Sequence, residues 1–221
     1  MDSTCWTLIE GAARGVAKDC DEIARRYSPT IRAYFLARRR AAPLCNEIDD
    51  AAQEVLFDCF RSDGALSRAD REHPSGFRSY LLGICRIVGL RIEARARQAR
   101  LSYEESEVDR HAVDDKTPSA AFDRAWARTV VQDALDGLRR QAGTSIAAER
   151  RIRLLNERIL NGVPIRELVK KWEIDADLLH HEFARARNEF KSSLAAALRF
   201  HLGTGTDPTD ANLRHLLELL K

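Results

Sequence analysis

One predicted helix near the end of the sequence carries side chains that could read DNA. Its apolar residues, Leu179, Phe183, Ala186 and Phe190, follow the spacing of one buried helix face. At about 100° per residue, histidine, arginine and asparagine side chains fall on the remaining part of the helix. Such groups hydrogen-bond base edges and phosphates when a helix lies in the major groove. The candidate DNA-binding residues on this helix are His180, His181, Arg185, Arg187 and Asn188.

A shorter helix and a tight turn are predicted directly before this helix. Pro164 is suited to the first helical position, and the apolar residues from Ile165 to Trp172 fall on one side. Asp175 can cap the second helix through its carboxylate. A helix, a turn and a second helix are typical of a DNA-binding helix-turn-helix, and a helical hairpin with a solvated basic face gives the same pattern. From these residues alone, both interpretations stay open.

An acidic surface is predicted on a helix in the first half of the chain. In residues 46–60, NEIDDAAQEVLFDCF, the apolar stripe includes Ala52, Val55 and Cys59. Carboxylate and amide side chains fall on the opposite, exposed side. Such a ridge is usually a solvated face, and it can also bind a basic partner surface. The residues of this acidic ridge are Asp49, Asp50, Gln53 and Glu54.

The next predicted helix, in residues 77–100, is apolar at first and strongly basic afterwards. Phe77, Leu81 and Val88 lie on its buried side, and Glu93 alone offsets the arginines of its second half. This concentration of positive charge suits a phosphate backbone, and a solubilising helix end is the alternative. The candidate DNA-binding residues on this helix are Arg86, Arg91, Arg95 and Arg97.

Almost every segment shows an apolar period of about 3.6 residues, which predicts an all-α fold. In the helix predicted for residues 19–40, Ile23, Tyr27, Ile31 and Tyr34 should face inward. Pro29 should bend or interrupt this helix, and Arg38 should lie on a basic outer face. We divide the chain into an N-terminal domain at residues 1–100, a flexible acidic linker at 101–121, a C-terminal helix-turn-helix domain at 122–202 and a C-terminal helical extension at 203–221.

Composition narrows the classes of function. The 221 residues include 36 Lys and Arg against 34 Asp and Glu, so nucleic-acid contacts must come from local patches. Five cysteines without a CxxC pair favour neither a zinc site nor a disulfide framework, and Cys59 and Cys85 are interpreted as small core residues. We find no nucleophile–base pair, glycine-rich phosphate loop or metal cluster, and predict no catalytic residue, no cofactor and no enzyme activity. The absence of a long apolar run or a signal peptide predicts a cytoplasmic protein.

Two parts of the chain match the sequence patterns of one known family. The acidic helix IDDAAQEVLFDCF is similar to "DDLVQEVFLRLW", with Asp50, Gln53, Glu54 and Val55 in register, and residues 77–86 match "F..WL..IARN". The pattern "G.s..EIA..lgis...v...l.rAr..l" corresponds to Gly162, Pro164, Glu167, Leu168, Ile174, Leu179, Phe183, Arg185, Ala186, Arg187 and Phe190. In this order, the two parts resemble the extracytoplasmic-function sigma factors of bacterial RNA polymerase.

This resemblance implies roles that the residues alone do not. The acidic ridge would bind the clamp coiled coil of the largest polymerase subunit. The basic helix end and the loop at residues 61–74 would take the promoter's −10 element as it opens, and the helix-turn-helix would read the −35 element. The implied partners are therefore RNA polymerase core, promoter DNA and a regulatory protein, and polymerase itself would supply catalysis.

The chain also departs from the family pattern. Ile87 and Arg91 stand where the family usually has Asn and Asp, and Glu173 stands where the turn usually has Gly. A non-glycine residue in that turn must adopt a positive φ or use a different turn. Two other functions stay open. One is an autonomous helix-turn-helix regulator, which would dimerise on a palindromic duplex, and the other is a helical adaptor that binds only proteins.

Overall fold

The computed structural model describes residues 5–41, 48–71, 76–101, 116–202 and 207–220. Every regular element in these ranges is a helix, which confirms the predicted all-α class. A 3-10 turn at Leu66–Arg68 and a π turn at Asn156–Leu160 accompany the α-helices. The helices are α1 (Cys5–Ala13), α2 (Ala17–Ala41), α3 (Ile48–Phe60), α4 (Gly76–Leu101), α5 (Lys116–Ala142), α6 (Ile146–Leu155), α7 (Ile165–Trp172), α8 (Ala176–Leu202) and α9 (Asp210–Glu218).

The chain divides into two compact units. Met1–Thr129 and Arg199–Lys221 make unit 1, and Val130–Leu198 make unit 2. The boundaries between them fall inside α5 and inside α8. Helix α5 begins at Lys116, within the segment that was expected to be a flexible linker, and residues 102–115 of that segment lie outside the described ranges. The predicted domain boundaries stay a prediction.

The core of unit 1 follows from the apolar stripes of its first four helices. The ring of Phe77 in α4 lies edge-on to Trp6 of α1 and Tyr27 of α2, with ring centroids 6.2 and 5.3 Å apart. Such pairs add about 0.5–1.5 kcal/mol to the effect of burying their area. Burial is confirmed for the predicted inward residues Ile23, Tyr27, Ile31, Tyr34, Ala52, Val55, Cys59, Phe77, Leu81, Ile84 and Val88.

An interruption of α2 at Pro29 and an outer position of Arg38 are both wrong, whereas a bend at Pro29 stays a prediction. The helix continues through Pro29 without interruption, from Ala17 to Ala41. Pro29 itself is exposed, whereas Tyr27 and Ile31 on either side of it are buried, so core packing holds the turn together although a backbone hydrogen bond is missing. Arg38, expected on the outer face, is only 3% exposed.

Arg38 is buried because α4 supplies a carboxylate for it. Its Nε and Nη2 donate to the two carboxylate oxygens of Glu93 at 2.7 and 3.1 Å, and its Nη1 donates to the Tyr34 hydroxyl at 2.8 Å. Glu93 is as deeply buried as Arg38. Gly89 of α4 leaves room for this pair, since a Cβ there would lie 2.8 Å from Arg38 Nε. Glu93 therefore joins α2 to α4, in addition to its contact with Arg97 of its own helix.

The last turn of α8 belongs to the core of unit 1. The His201 ring nitrogen Nδ1 lies 3.1 Å from the Tyr27 hydroxyl, and Cys5 Sγ donates to the His201 carbonyl at 3.5 Å. The Trp126 ring approaches the His201 ring edge-on, with centroids 5.6 Å apart. Complete burial lowers the pKa of His201 to about 3, so the imidazole is neutral at ordinary pH.

Two small apolar clusters form the core of unit 2. Leu138 of α5, Leu155 of α6 and Ala186 of α8 make the first. The second joins α6, α7 and α8 through Leu154, Leu168 and Leu179, with Val163, Ile165, Val169, Trp172, Ile174 and Phe183 packed around them. The predicted apolar stripes of α7 and α8 are thereby confirmed.

Candidate nucleic-acid interface

The turn between α7 and α8 has a sharp geometry that depends on two residues. Glu173 ends α7 in the left-handed region, at φ 53° and ψ 38°, which costs a residue with a Cβ about 1–2 kcal/mol. Asp175 Oδ1 accepts the backbone N–H of Leu178 at 3.0 Å, which confirms the predicted cap. Of the two turns allowed for a non-glycine residue at Glu173, the chain therefore uses the one with positive φ.

All five candidate residues on α8 are exposed. Arg185 donates from Nε to Glu189 Oε1 at 3.0 Å, and the Arg187 guanidinium lies 5.9 Å from the centre of the Phe183 ring. Both contacts involve the guanidinium group, and both side chains remain exposed. The face that α8 turns to solvent therefore includes His180, His181, Arg185, Arg187 and Asn188.

Two carboxylates of α8, Glu182 and Glu189, pair with arginines of α6. Arg151, which is buried, donates to Glu189 at 2.8 Å and lies 3.8 Å from Glu182. Partial burial raises the pKa of Glu189, but hydrogen bonds from Arg151 and Arg185 outweigh it and hold this pKa below its usual value. Glu189 therefore stays ionised and paired. The charges of Glu182 and Glu189 are thus compensated by α6, and the donor side chains of α8 are left at the surface.

The structure divides the predicted acidic ridge into two parts. Asp50 and Gln53 are exposed on α3. Asp49 lies 2.6 Å from Arg32 of α2, in an ion pair whose two side chains are both more than half exposed. Glu54 faces α4, where arginines bind it. An external partner of α3 would therefore meet Asp50 and Gln53 more readily than Glu54.

Arg91 and Arg95, two of the predicted DNA-binding arginines, bind the carboxylates of α3. Arg91 donates to Glu54 at 2.8 Å and to Asp58 at 2.7 Å, and Arg95 donates to Glu54 at 2.7 Å. The hydrogen bond that Arg91 donates to Asp58 helps to raise the pKa of Arg91 above its ordinary value. The two surfaces that were predicted for different partners therefore meet in one ion-pair network.

The other two candidate DNA-binding arginines of α4, Arg86 and Arg97, are both exposed. Arg86 is exposed and donates from Nη2 to the Ser119 hydroxyl at 2.9 Å. Arg97 lies 3.6 Å from the buried Glu93 and is about half exposed. Both guanidinium groups can exchange these contacts for a phosphate at low cost, because surface pairs contribute about 0–1 kcal/mol.

A cavity of about 770 Å³ lies where the end of α3, the 3-10 turn and α4 come together. Tyr80 closes one side, and its hydroxyl donates to the Ala65 carbonyl at 2.6 Å. Arginine side chains outnumber carboxylates on its wall. The lining residues are Asp58, Arg61, Ala65, Arg68, Ser79, Tyr80, Gly83, Ile84, Ile87 and Arg91. The sequence pointed to this loop through the family resemblance only, because no periodic pattern brings Arg61, Arg68 and Tyr80 together.

Phe57 is a candidate contact residue that sequence reasoning missed. It is 68% exposed on α3, one turn beyond Gln53 and two turns beyond Asp50, and therefore on the same face of the helix. An exposed phenylalanine between charged residues is a frequent feature of protein-binding surfaces. The helical spacing of Phe57 from Asp50 and Gln53 is the sequence feature that could have placed it on this face. Phe57 was assigned neither to the predicted apolar stripe nor to the acidic ridge.

Cys59 and Cys85 are both buried, which confirms their place in the core, and burial raises the pKa of the Cys59 thiol to about 12. No group of three His, Cys, Asp or Glu side chains within the described ranges is placed to hold a metal ion. No helix in the described part of the chain is both long and apolar enough to cross a membrane.

Comparison with known proteins gives no relative: no protein-family model, no curated protein and no solved structure matches this chain.

Proposed function

We propose that this chain is a sigma factor that binds bacterial RNA polymerase core and directs it to promoter DNA. The observation that carries the proposal is the exposed, donor-rich face of α8, presented directly after the tight turn at Glu173 and Asp175. A helix with this entry and these side chains suits the major groove. The resemblance in residues 162–190 assigns this face to the −35 element.

A second observation supports contact with polymerase. Asp50, Gln53 and Phe57 lie on one exposed face of α3, which combines negative charge with an aromatic side chain. This combination suits a basic, partly apolar helical surface, and the family resemblance assigns that surface to the clamp coiled coil of the largest subunit. A plain DNA-binding dimer has no need of such a face.

The cavity between α3 and α4 supports contact with an opened promoter. Strand opening is helped by a pocket that holds an unstacked base, since the pocket replaces the lost stacking. The cavity offers the Tyr80 ring for stacking and Arg61 and Arg68 for phosphates. It lies beside the loop at residues 61–74, to which the family resemblance gives the −10 element. As a factor that works on DNA with polymerase, the protein would act in the cytoplasm.

The experiment that tests this function is promoter selection. Core polymerase with and without the full chain is incubated with fragmented bacterial DNA, and the retained and transcribed fragments are sequenced. We expect a small set of start sites that depends on the chain, and its loss in the double variant Arg185→Ala, Arg187→Ala. Arg140→Ala, an exposed arginine of α5, serves as the matched control.

The autonomous regulator is the alternative that the same α8 face supports. It predicts that the chain alone binds one palindromic duplex as a dimer. Adding core polymerase at the same salt concentration should not change the affinity for this duplex. Duplex retention without core in the same selection would favour it, whereas start sites that appear only with core would favour the sigma factor.

A further inference from the structure

A second cavity, in unit 2, has a wall dominated by positive charge. It measures about 590 Å³ and lies between the first turns of α6, the end of α7 and the turn that follows. Three of its seven lining residues are cationic and one is acidic. The lining residues are Ile146, Glu149, Arg150, Arg153, Lys171, Trp172 and Ile174. None of these side chains belongs to the exposed face of α8 described above.

The cations of this wall are incompletely matched inside the protein. The Arg153 guanidinium lies over the Trp172 ring, 5.2 Å from its centre, and shares with Lys171 the influence of the Glu157 carboxylate, whose pKa both cations help to lower. Arg150 reaches Glu182 only at 3.5 Å, and Lys171 reaches Glu157 only at 3.5 Å. The wall therefore has spare positive charge and a guanidinium plane held in a fixed orientation by an aromatic ring.

Two N–H groups in the same wall lack an acceptor. Arg150 Nε and Trp172 Nε1 are closed off from solvent and have no hydrogen-bond partner among the described residues. A buried N–H group without an acceptor lowers the stability of a protein by about 1–3 kcal/mol. Both side chains line the cavity and are partly exposed.

We propose that this cavity is a phosphate-binding site. Three cationic side chains and two unpartnered N–H groups offer more donors than the two oxygens of a carboxylate can accept, whereas a tetrahedral phosphate presents oxygens in several directions. The phosphate belongs either to the backbone of a DNA duplex or to a free phosphate-bearing molecule. The site is separate from the α8 face and does not require polymerase.

The test titrates the full-length protein with inorganic phosphate and follows binding by calorimetry and tryptophan fluorescence. We expect saturable binding with a change in fluorescence, weakened about tenfold in Arg153→Gln, because a charge-assisted hydrogen bond is lost. Lys171→Gln, on the opposite wall, should weaken binding as well. Trp172→Phe should abolish the fluorescence change, and Arg140→Gln should behave like the wild-type chain. Far-ultraviolet circular dichroism checks that each variant is folded.

A duplex arm distinguishes the two sources of phosphate. If the phosphate comes from DNA, Arg153→Gln should weaken binding of unrelated duplexes alike and lower the salt slope by about one unit. If duplex affinity is unchanged while inorganic phosphate is lost, the ligand is a free phosphate compound. Folded Arg153→Gln and Lys171→Gln proteins that match the wild type in both arms would overturn the proposal. Core polymerase takes no part in either arm, so failure of the sigma-factor function would leave this result standing.

Discussion

Glu54 of α3 accepts a hydrogen bond from Arg91 of α4 at 2.8 Å, in the middle of two surfaces that carry opposite charge. Arg95 binds the same carboxylate, and Asp58 binds Arg91 from the next turn of α3. This network joins the acidic helix to the basic one. It also explains why only part of each predicted surface is available to a partner.

The network predicts different results for charge reversal at two neighbouring positions of α3. Glu54→Lys would place a third cation beside Arg91 and Arg95 and should lower the free energy of unfolding by about 1–2 kcal/mol. Asp50→Lys changes an exposed residue and should alter stability by no more than about 0.5 kcal/mol. Urea unfolding of both variants checks this. Equal stabilities would mean that the network contributes little in solution.

The buried pair of Arg38 and Glu93 predicts a large loss of stability. Glu93→Gln leaves the Arg38 charge buried without a carboxylate and should cost about 3–5 kcal/mol in the free energy of unfolding. The apolar double variant Arg38→Met, Glu93→Leu should recover most of this loss, since it removes both charges together. Denaturant unfolding measures both. A single variant within about 1 kcal/mol of wild type would contradict the buried geometry.

The left-handed backbone at Glu173 predicts a stabilising substitution. Glycine adopts φ 53° without strain, so Glu173→Gly should raise the free energy of unfolding by up to about 1 kcal/mol. Asp175→Ala, in the same turn, should lower it by about 1 kcal/mol because the cap on the Leu178 N–H is lost. Thermal unfolding compares the two. Destabilisation by Glu173→Gly would argue against a left-handed conformation at this residue.

His201 predicts a specific pH dependence of stability. Burial lowers its folded pKa to about 3, against 6.5 for the free side chain, so the unfolded chain binds a proton that the folded chain does not. Stability should therefore fall as pH drops below about 6.5, by up to about 1.4 kcal/mol per pH unit attributable to this group. In His201→Gln, the difference between stabilities at pH 7 and pH 5 should shrink. Parallel curves for the two proteins would show that His201 is not buried in its neutral form.

The helical class and most of the core could be predicted from periodicity, because each stripe has only one side that can be buried. The burial of Tyr34, Val55 and Leu179 follows from this periodicity alone. Arg38 and Glu93 could not be predicted, since their pairing joins α2 to α4 and depends on the space left by Gly89.

In the candidate site, too, some features could be predicted from the sequence and others could not. The exposed face of α8 is a local property of one helix, and the sequence therefore predicted which residues lie there. The pairing of Glu54 with Arg91 and the cavity beside Trp172 depend on contacts between helices. Phe57 combines both situations. Its helical spacing from Asp50 could be derived from the sequence, whereas its exposure depends on the packing of the neighbouring helices.

The most direct measurement for the central claim is a titration of labelled full-length protein with bacterial core RNA polymerase, followed by fluorescence anisotropy. We predict saturable one-to-one binding, weakened about tenfold or more by Asp50→Lys combined with Phe57→Ala, since charge and aromatic contacts are lost together. Asp21→Lys, an exposed acid of α2, is the matched control and should bind like the wild type. A folded wild-type chain that does not bind core, or a double variant that binds it equally well, would contradict the account.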